Sequence, residues 1–94
     1  MTEQRIRKVA LVGGGVIGGG WATRCLANGL EVVLADPRAE SRDYVEKMVA
    51  DAWPVLEDAG LVTGEKGQLH FASDIAEAVS DADFVQENVP EREE

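Results

Sequence analysis

Cysteine is almost missing from this 94-residue chain: Cys25 stands alone, so no disulfide can form within it. That excludes a small disulfide-stapled scaffold and fits a reducing, cytoplasmic compartment. Histidine is equally scarce. His70 has no second histidine and no cysteine near it, which leaves a metal site without ligands. Long apolar runs are lacking too. The longest apolar-plus-glycine stretch, residues 9–20, is too short and too glycine-rich to span a bilayer, and residues 1–8 do not read as a secretion signal. Positive charge is the last shortage. Residues 1–38 hold five basic groups and three acidic ones, whereas residues 39–94 hold four against fifteen. That second half would repel a nucleic-acid backbone, whose binding needs clustered Lys and Arg. Neither a nucleic acid nor a membrane is an expected partner.

What is present is a composition 45% hydrophobic and 29% charged, ordinary for a folded domain, arranged in alternating strand and helix patterns. Residues 6–12 end in a continuous apolar run, as in a parallel strand buried on both faces. From about Val16 to Asn28 the spacing turns helical, with Gly18, Ala22, Cys25 and Gly29 on one face and Gly29 placed to end the helix. Glu31 to Ala35 reads as a second strand, stopped by Asp36-Pro37. A helical stretch follows from about Ala39 to Ala59, with an apolar stripe of Val45, Met48, Val49, Ala52, Leu56 and Ala59. Pro54 inside it predicts a kink or two helices meeting near Trp53. After a loop over 63–68 comes a short strand, Leu69 to Ala72. Ser73 and Asp74 then cap a short helix, Ile75 to Val79, and Asp83 to Val89 forms a fourth strand. Cys25 reads as core, and Trp21 and Trp53 read as packing residues.

That order predicts an α/β fold: a Rossmann-type, doubly wound parallel sheet, four strands in spatial order 3-2-1-4, amounting to the first half of such a domain. Gly13-Gly14-Gly15-Val16-Ile17-Gly18 matches G-x-G-x-x-G, a weak signal alone but here set between a buried strand and a helix. In that setting Gly13 allows the turn, Gly15 lets a pyrophosphate approach the backbone, and Gly18 lets the helix lie close. N–H groups at the helix start point at the phosphates. Gly19 and Gly20 weaken the helix, and close packing against cofactor or sheet is the expected reason. Asp36, at the end of the second strand, is placed to accept hydrogen bonds from both hydroxyls of the adenosine ribose. The same carboxylate repels a 2′-phosphate, which favours NAD over NADP. It also has a plainer reading as a helix cap before Pro37. Arg38 leaves three options open: pairing with a 2′-phosphate, flanking the adenine, or pointing into water. At the carboxyl end of the fourth strand, Glu87 or Glu91 is a further candidate for touching cofactor.

Three stretches, VALVGGGVIGGGWATRCLANGLEVVLADP (9–37), IAEAVSDAD (75–83) and FVQENVPE (84–91), together resemble the N-terminal part of the L-3-hydroxyacyl-CoA dehydrogenase family. Within it they are most similar to the branch that contains L-carnitine dehydrogenase and the lambda-crystallin type dehydrogenases. The resemblance implies NAD-dependent oxidation of a 3-hydroxy group to a 3-keto group, on a hydroxyacyl thioester or on a small 3-hydroxy acid such as carnitine. It assigns pyrophosphate binding to Gly13 through Gly18, ribose binding to Asp36 and cofactor contact to Glu91, with the backbone at Asn88 and Val89 bordering the adenosine. Members of the family continue with an active-site Ser and Asn, a His–Glu pair that takes the hydroxyl proton, and a helical domain that makes a homodimer. None of these matches a residue up to Glu94. The chain is accordingly expected to be the N-terminal portion of an NAD-binding domain, without catalytic residues and inactive by itself. A non-catalytic nucleotide-sensing or structural module is the alternative from another class.

Overall fold

Strands that are apolar on both faces are stable only where layers cover both sides of a sheet, and the two strands of that kind lie at its centre. The computed structural model of the chain describes residues 6–88. In it β1 (Lys8–Val12) and β2 (Glu31–Ala35) each bury four of their five residues, and β3 (Leu69–Ala72) and β4 (Phe84–Glu87) flank them. All three pairings are parallel, in the order β3-β2-β1-β4. The expected topology is the observed one. Val12 pairs with Ala35 on one side and Glu87 on the other, and Ala35 with Ala72, so the carboxyl ends of all four strands make one level edge.

Side-chain alternation along β1 and β2 builds two cores. Val9, Leu11, Val32 and Leu34 meet α1 (Gly15–Ala27) and α2 (Glu40–Asp58) through Ala22, Cys25, Leu26, Val45 and Val49. Ala10, Val33 and Ala35 meet α3 (Ile75–Val79) through Ala78 on the opposite face. Leu11, Leu26 and Leu34 are fully buried, and each such side chain contributes about 1.5–3 kcal/mol. α1 ends where the sequence predicts. Gly29 adopts φ +77°, with its N–H donating to the Leu26 carbonyl and the Leu30 N–H to the Cys25 carbonyl, the paired bonds of a Schellman cap. α3 is capped by Asp74, which accepts the Glu77 N–H at 2.7 Å, while Glu77 accepts the Ser73 N–H at 2.8 Å.

Three expectations need correction. Of the two readings of Pro54, that of two separate helices is set aside, since α2 runs through it as one 19-residue helix. The proline removes only the bond to the Ala50 carbonyl, and both residues are exposed, so water can serve that carbonyl. The stripe of α2 is narrower than its apolar residues suggest: Val45 and Val49 are buried, Met48, Ala52 and Leu56 are half-buried, and Ala59 is exposed. β4 is shorter than 83–89. Asp83 accepts the N–H groups of Arg7 and Lys8 at 2.9 and 3.1 Å, which ties the entry of β1 to the entry of β4 and holds the Asp83 carboxyl below its ordinary pKa. Val89 lies outside the described residues.

The loop before β3 is fixed by a close approach at Gly67, whose N–H donates to the Leu26 carbonyl at 3.0 Å. A Cβ there would press into the Leu30 backbone, 2.8 Å from its carbonyl carbon and closer still to the oxygen. Gly67→Ala should therefore lower stability by about 1–3 kcal/mol, seen as a drop in Tm. Gly67 lies at the amino end of β2, opposite the level edge, so dinucleotide affinity measured below the new Tm should not change.

Candidate functional site

Open α/β sheets bind ligands at the carboxyl edge of their strands, where neighbouring connections leave to opposite faces. Here α1 leaves the end of β1 on one face, and α3 lies on the other. The turn between β1 and α1 starts at Gly13, with φ +96°, a conformation that disfavours any residue with a side chain. Its N–H donates to the Ala35 carbonyl at 2.7 Å, so the turn is tied to the end of β2. The next N–H, of Gly14, donates to Asp36 Oδ2 at 2.6 Å. Asp36 is thus no helix cap: its carboxylate bridges the ends of β1 and β2. Gly18 lies so close beneath the turn that a Cβ would overlap the Gly13 carbonyl oxygen and stand 3.1 Å from its carbon. The expected close approach at this position is observed, made to the turn itself.

Asp36 is the electrostatic centre of this edge. Its side chain is only 4% exposed, yet all its acceptor positions are engaged. Oδ1 accepts from the Arg38 N–H at 2.8 Å and Nε at 3.1 Å, and Oδ2 accepts from Gly14 N–H and from Arg38 Nη2 at 3.0 Å. The Arg38 guanidinium, helped by the two backbone N–H groups and the Ser41 hydroxyl, holds the carboxyl far below the usual carboxylate range, against the opposing effect of burial. A carboxyl with a lowered native pKa stabilises the fold above its unfolded pKa, and that stability is lost as pH falls through the native value. Asp36→Asn should therefore be destabilising at neutral pH. The gap in Tm between it and the parent chain should shrink as pH drops below about 4, which thermal melts across that range would show.

Beside Asp36 opens a cleft of about 780 Å3, lined by Val12, Gly13, Ala35, Asp36, Pro37, Arg38, Asn88 and residues 73–76. Of the residues singled out in the sequence, the structure gathers Gly13, Asp36, Arg38 and Asn88 here, with Gly14 bonded to Asp36 and the Arg38 guanidinium 3.9 Å from where a Cβ on Gly15, φ +79°, would lie. Asn88 is buried. Its N–H is spent on the Val12 carbonyl, its Nδ2 lies 3.4 Å from the Gly13 carbonyl, and its Oδ1 has no partner among the described residues. Val16 and Ile17 are not part of this cleft. Their side chains are 69% and 64% exposed and border a separate hollow between α1 and α2. Glu87 is exposed and does not line the cleft, and Glu91 lies outside the described residues. The sequence reading missed the far wall, Ser73 to Ala76. Its only trace was the cap signal of Ser73 and Asp74, which says where a helix starts and nothing about what it faces.

Other assignments divide in the same way. Cys25 is buried, and burial raises its thiol pKa, as suits a core residue. His70 is exposed and lies 3.1 Å from Glu31, and among the described residues no cluster of three metal-ligating side chains exists. Trp53 packs against the core under Lys66, but Trp21 is 40% exposed rather than packed. A Cβ at Gly19 would stand 2.5 Å from Sδ of the flexible Met48 side chain, so the neighbour there is α2 and not the sheet. Among the described residues nothing lies within 4 Å of a Cβ at Gly20, so packing against the sheet does not account for that glycine.

The site suits a dinucleotide on three counts. The first turn of α1 has no side-chain cap and no acidic residue, so its N–H groups and helix dipole remain available to an anion. The cleft wall is mostly apolar and includes Pro37 and Ile75, as a flat base requires. The buried Asn88 Oδ1, without a partner among the described residues, is an acceptor still wanting a donor such as a hydroxyl.

Comparison with known proteins agrees with this geometry. Residues 8–94 match the sequence profile of the 3-hydroxyacyl-CoA dehydrogenase NAD-binding domain. The chain is 48% identical over 94 residues to an L-carnitine dehydrogenase of Bacillus cereus, covering 99% of this chain and 29% of the relative. It is 49% identical over 90 residues to an L-carnitine dehydrogenase of Burkholderia mallei, covering 95% and 28%. Among solved structures, FHMPC 5-dehydrogenase, an NAD+-dependent dismutase, superposes with a TM-score of 0.79 at 39% identity, over 94% of this chain and 29% of that one. The chain thus spans less than a third of the length of these relatives.

Proposed function

The chain belongs to the 3-hydroxyacyl-CoA dehydrogenase NAD-binding domain family, and from that premise we propose that it holds the adenosine and pyrophosphate of NAD for an oxidoreductase that converts a 3-hydroxy group to a 3-keto group. The substrate is a 3-hydroxyacyl thioester or a small 3-hydroxy acid such as carnitine, the second favoured by the naming of the relatives that share nearly half of its residues. The observation that carries the reading is the convergence of the glycine turn, the Asp36 carboxylate and Asn88 on one cleft at the carboxyl edge.

Each group has a distinct task. The N–H groups following Gly14, at the uncapped start of α1, receive the pyrophosphate, aided by the positive end of the helix. The lack of a side chain at Gly15 keeps that approach open. Asp36 accepts the ribose hydroxyls, and its ionised state at all physiological pH values means no proton need be lost for it to do so. The adenine lies between Pro37 and Ile75. Val16 and Ile17 belong to the turn that receives the pyrophosphate, the backbone at Asn88 and Val89 borders the adenosine, and Glu91 contacts the cofactor, as the family resemblance implies. When bound, NAD supplies the hydride acceptor. No residue of this chain is given a catalytic role: of the two carboxylates that line the cleft, Asp36 is assigned to the ribose and Asp74 caps α3. Homodimerisation and a cytoplasmic location are part of the same proposal and rest on the family relationship; no helix among the described residues is long and apolar enough to cross a membrane.

The test is substrate-dependent reduction of NAD by a protein that contains this chain at the length of its relatives. L-Carnitine and an L-3-hydroxybutyryl thioester should be compared side by side. Turnover of either supports the reading, and carnitine is the expected better substrate. Tight NAD binding with turnover of neither would favour a nucleotide-sensing module instead.

A further inference from the structure

The Asp36 carboxylate cannot accept both ribose hydroxyls as it stands. Its side chain is nearly buried, and besides the interaction with the Ser41 hydroxyl each oxygen already accepts two hydrogen bonds. Two of the four, from the Gly14 and Arg38 backbone N–H groups, are fixed by the turn and the chain. The other two come from the Arg38 side chain, which is 54% exposed and makes no other hydrogen bond among the described residues. These are the bonds a ribose can replace. The guanidinium also lies within 4 Å of where a Gly15 Cβ would be, so it hangs over the phosphate-side turn as well as over the carboxylate.

We propose that Arg38 is a specificity-determining residue of this site: its guanidinium shields the Asp36 carboxylate and so narrows the preference for NAD over NADP. The inference rests on the dinucleotide reading of the cleft and deepens it. Two effects follow from the same side chain. NAD must displace the Nε and Nη2 bonds before its ribose can use Asp36, and a site that is only fractionally open binds with an affinity reduced by that fraction. NADP gains instead. An arginine fork that neutralises Asp36 removes the repulsion of a 2′-phosphate, and the same fork can donate to the phosphate oxygens. Asp36 and Arg38 thus pull the choice of cofactor in opposite directions.

The experiment is calorimetric titration of the chain and of its Arg38→Ala, Arg38→Lys and Asp36→Ala variants with NAD and with NADP. In Arg38→Ala, NAD should bind about three- to tenfold tighter, because the bidentate bond to a partly exposed arginine no longer competes. NADP should bind about tenfold more weakly or worse. Arg38→Lys, which keeps the charge but not the fork, should fall between the parent chain and Arg38→Ala for NADP. An NAD affinity that falls in Arg38→Ala, or an NADP affinity that holds, overturns the proposal while leaving the dinucleotide site intact. Unchanged NAD affinity in Asp36→Ala, or no saturable binding of NAD by the parent chain, overturns the dinucleotide reading and the proposal with it.

Discussion

Gly18→Ala should weaken NAD binding by about a hundredfold and lower stability by about 1–3 kcal/mol. The added methyl group has no room: it would overlap the carbonyl oxygen of Gly13, a backbone atom tied through the same residue's N–H to the Ala35 carbonyl. Relief requires the start of α1 to move away from the turn. The N–H groups at that end of the helix then no longer converge on the pyrophosphate. Losing two charge-assisted bonds at about 1.5 kcal/mol each corresponds to that factor. Gly20 supplies the internal control. It lies in the same helix, two residues on, with open space around a Cβ. Gly20→Ala should raise stability by about 0.5–1 kcal/mol, since alanine is the better helix former, and should leave NAD affinity unchanged. Thermal melts and titrations of the two variants separate close approach from helix propensity.

Asp36→Ala should reduce NAD affinity roughly 30-fold, or about 2 kcal/mol, the worth of hydrogen bonds to a charged acceptor after water has been displaced. The NADP affinity of the same variant should fall much less, because a 2′-phosphate meets one fewer negative charge. The substitution also strands the Gly14 N–H, which donates to Oδ2 at 2.6 Å, so some stability is lost with it. Asp36→Asn keeps an acceptor for that N–H and separates the two effects. If the asparagine variant regains part of the lost stability but none of the lost affinity, the carboxylate itself is what the ribose reads.

How far the sequence foretold all this depended on the kind of signal. The sheet order was legible because continuous apolar runs at 9–12 and 32–35 can lie only at the centre of a parallel sheet, and parallel strands joined by helices leave few topologies. The glycine turn and Asp36 were legible because each residue type answers a local demand, positive φ at Gly13 and an acceptor at the end of β2. Contacts between distant segments left no such mark. Nothing in the sequence says that Ser73 to Ala76 lines the same cleft as Pro37, or that the Met48 side chain lies against Gly19. Pro54 misled for the opposite reason. Its local rule is sound, but an exposed helix face lets water take the missing bond. The Arg38 side chain had three readings in the sequence, and its observed pairing with Asp36 was none of them.

The most direct test of the central claim is a titration of the isotope-labelled chain with NAD, followed through its backbone amide signals. The account predicts saturable shifts confined to Gly13 through Gly18, Asp36, Arg38, Ser73 through Ala76 and the chain from Asn88 on, with the amides around Lys66 and His70 unmoved. Shifts centred on the hollow between α1 and α2, or no saturable shift at all, would contradict it.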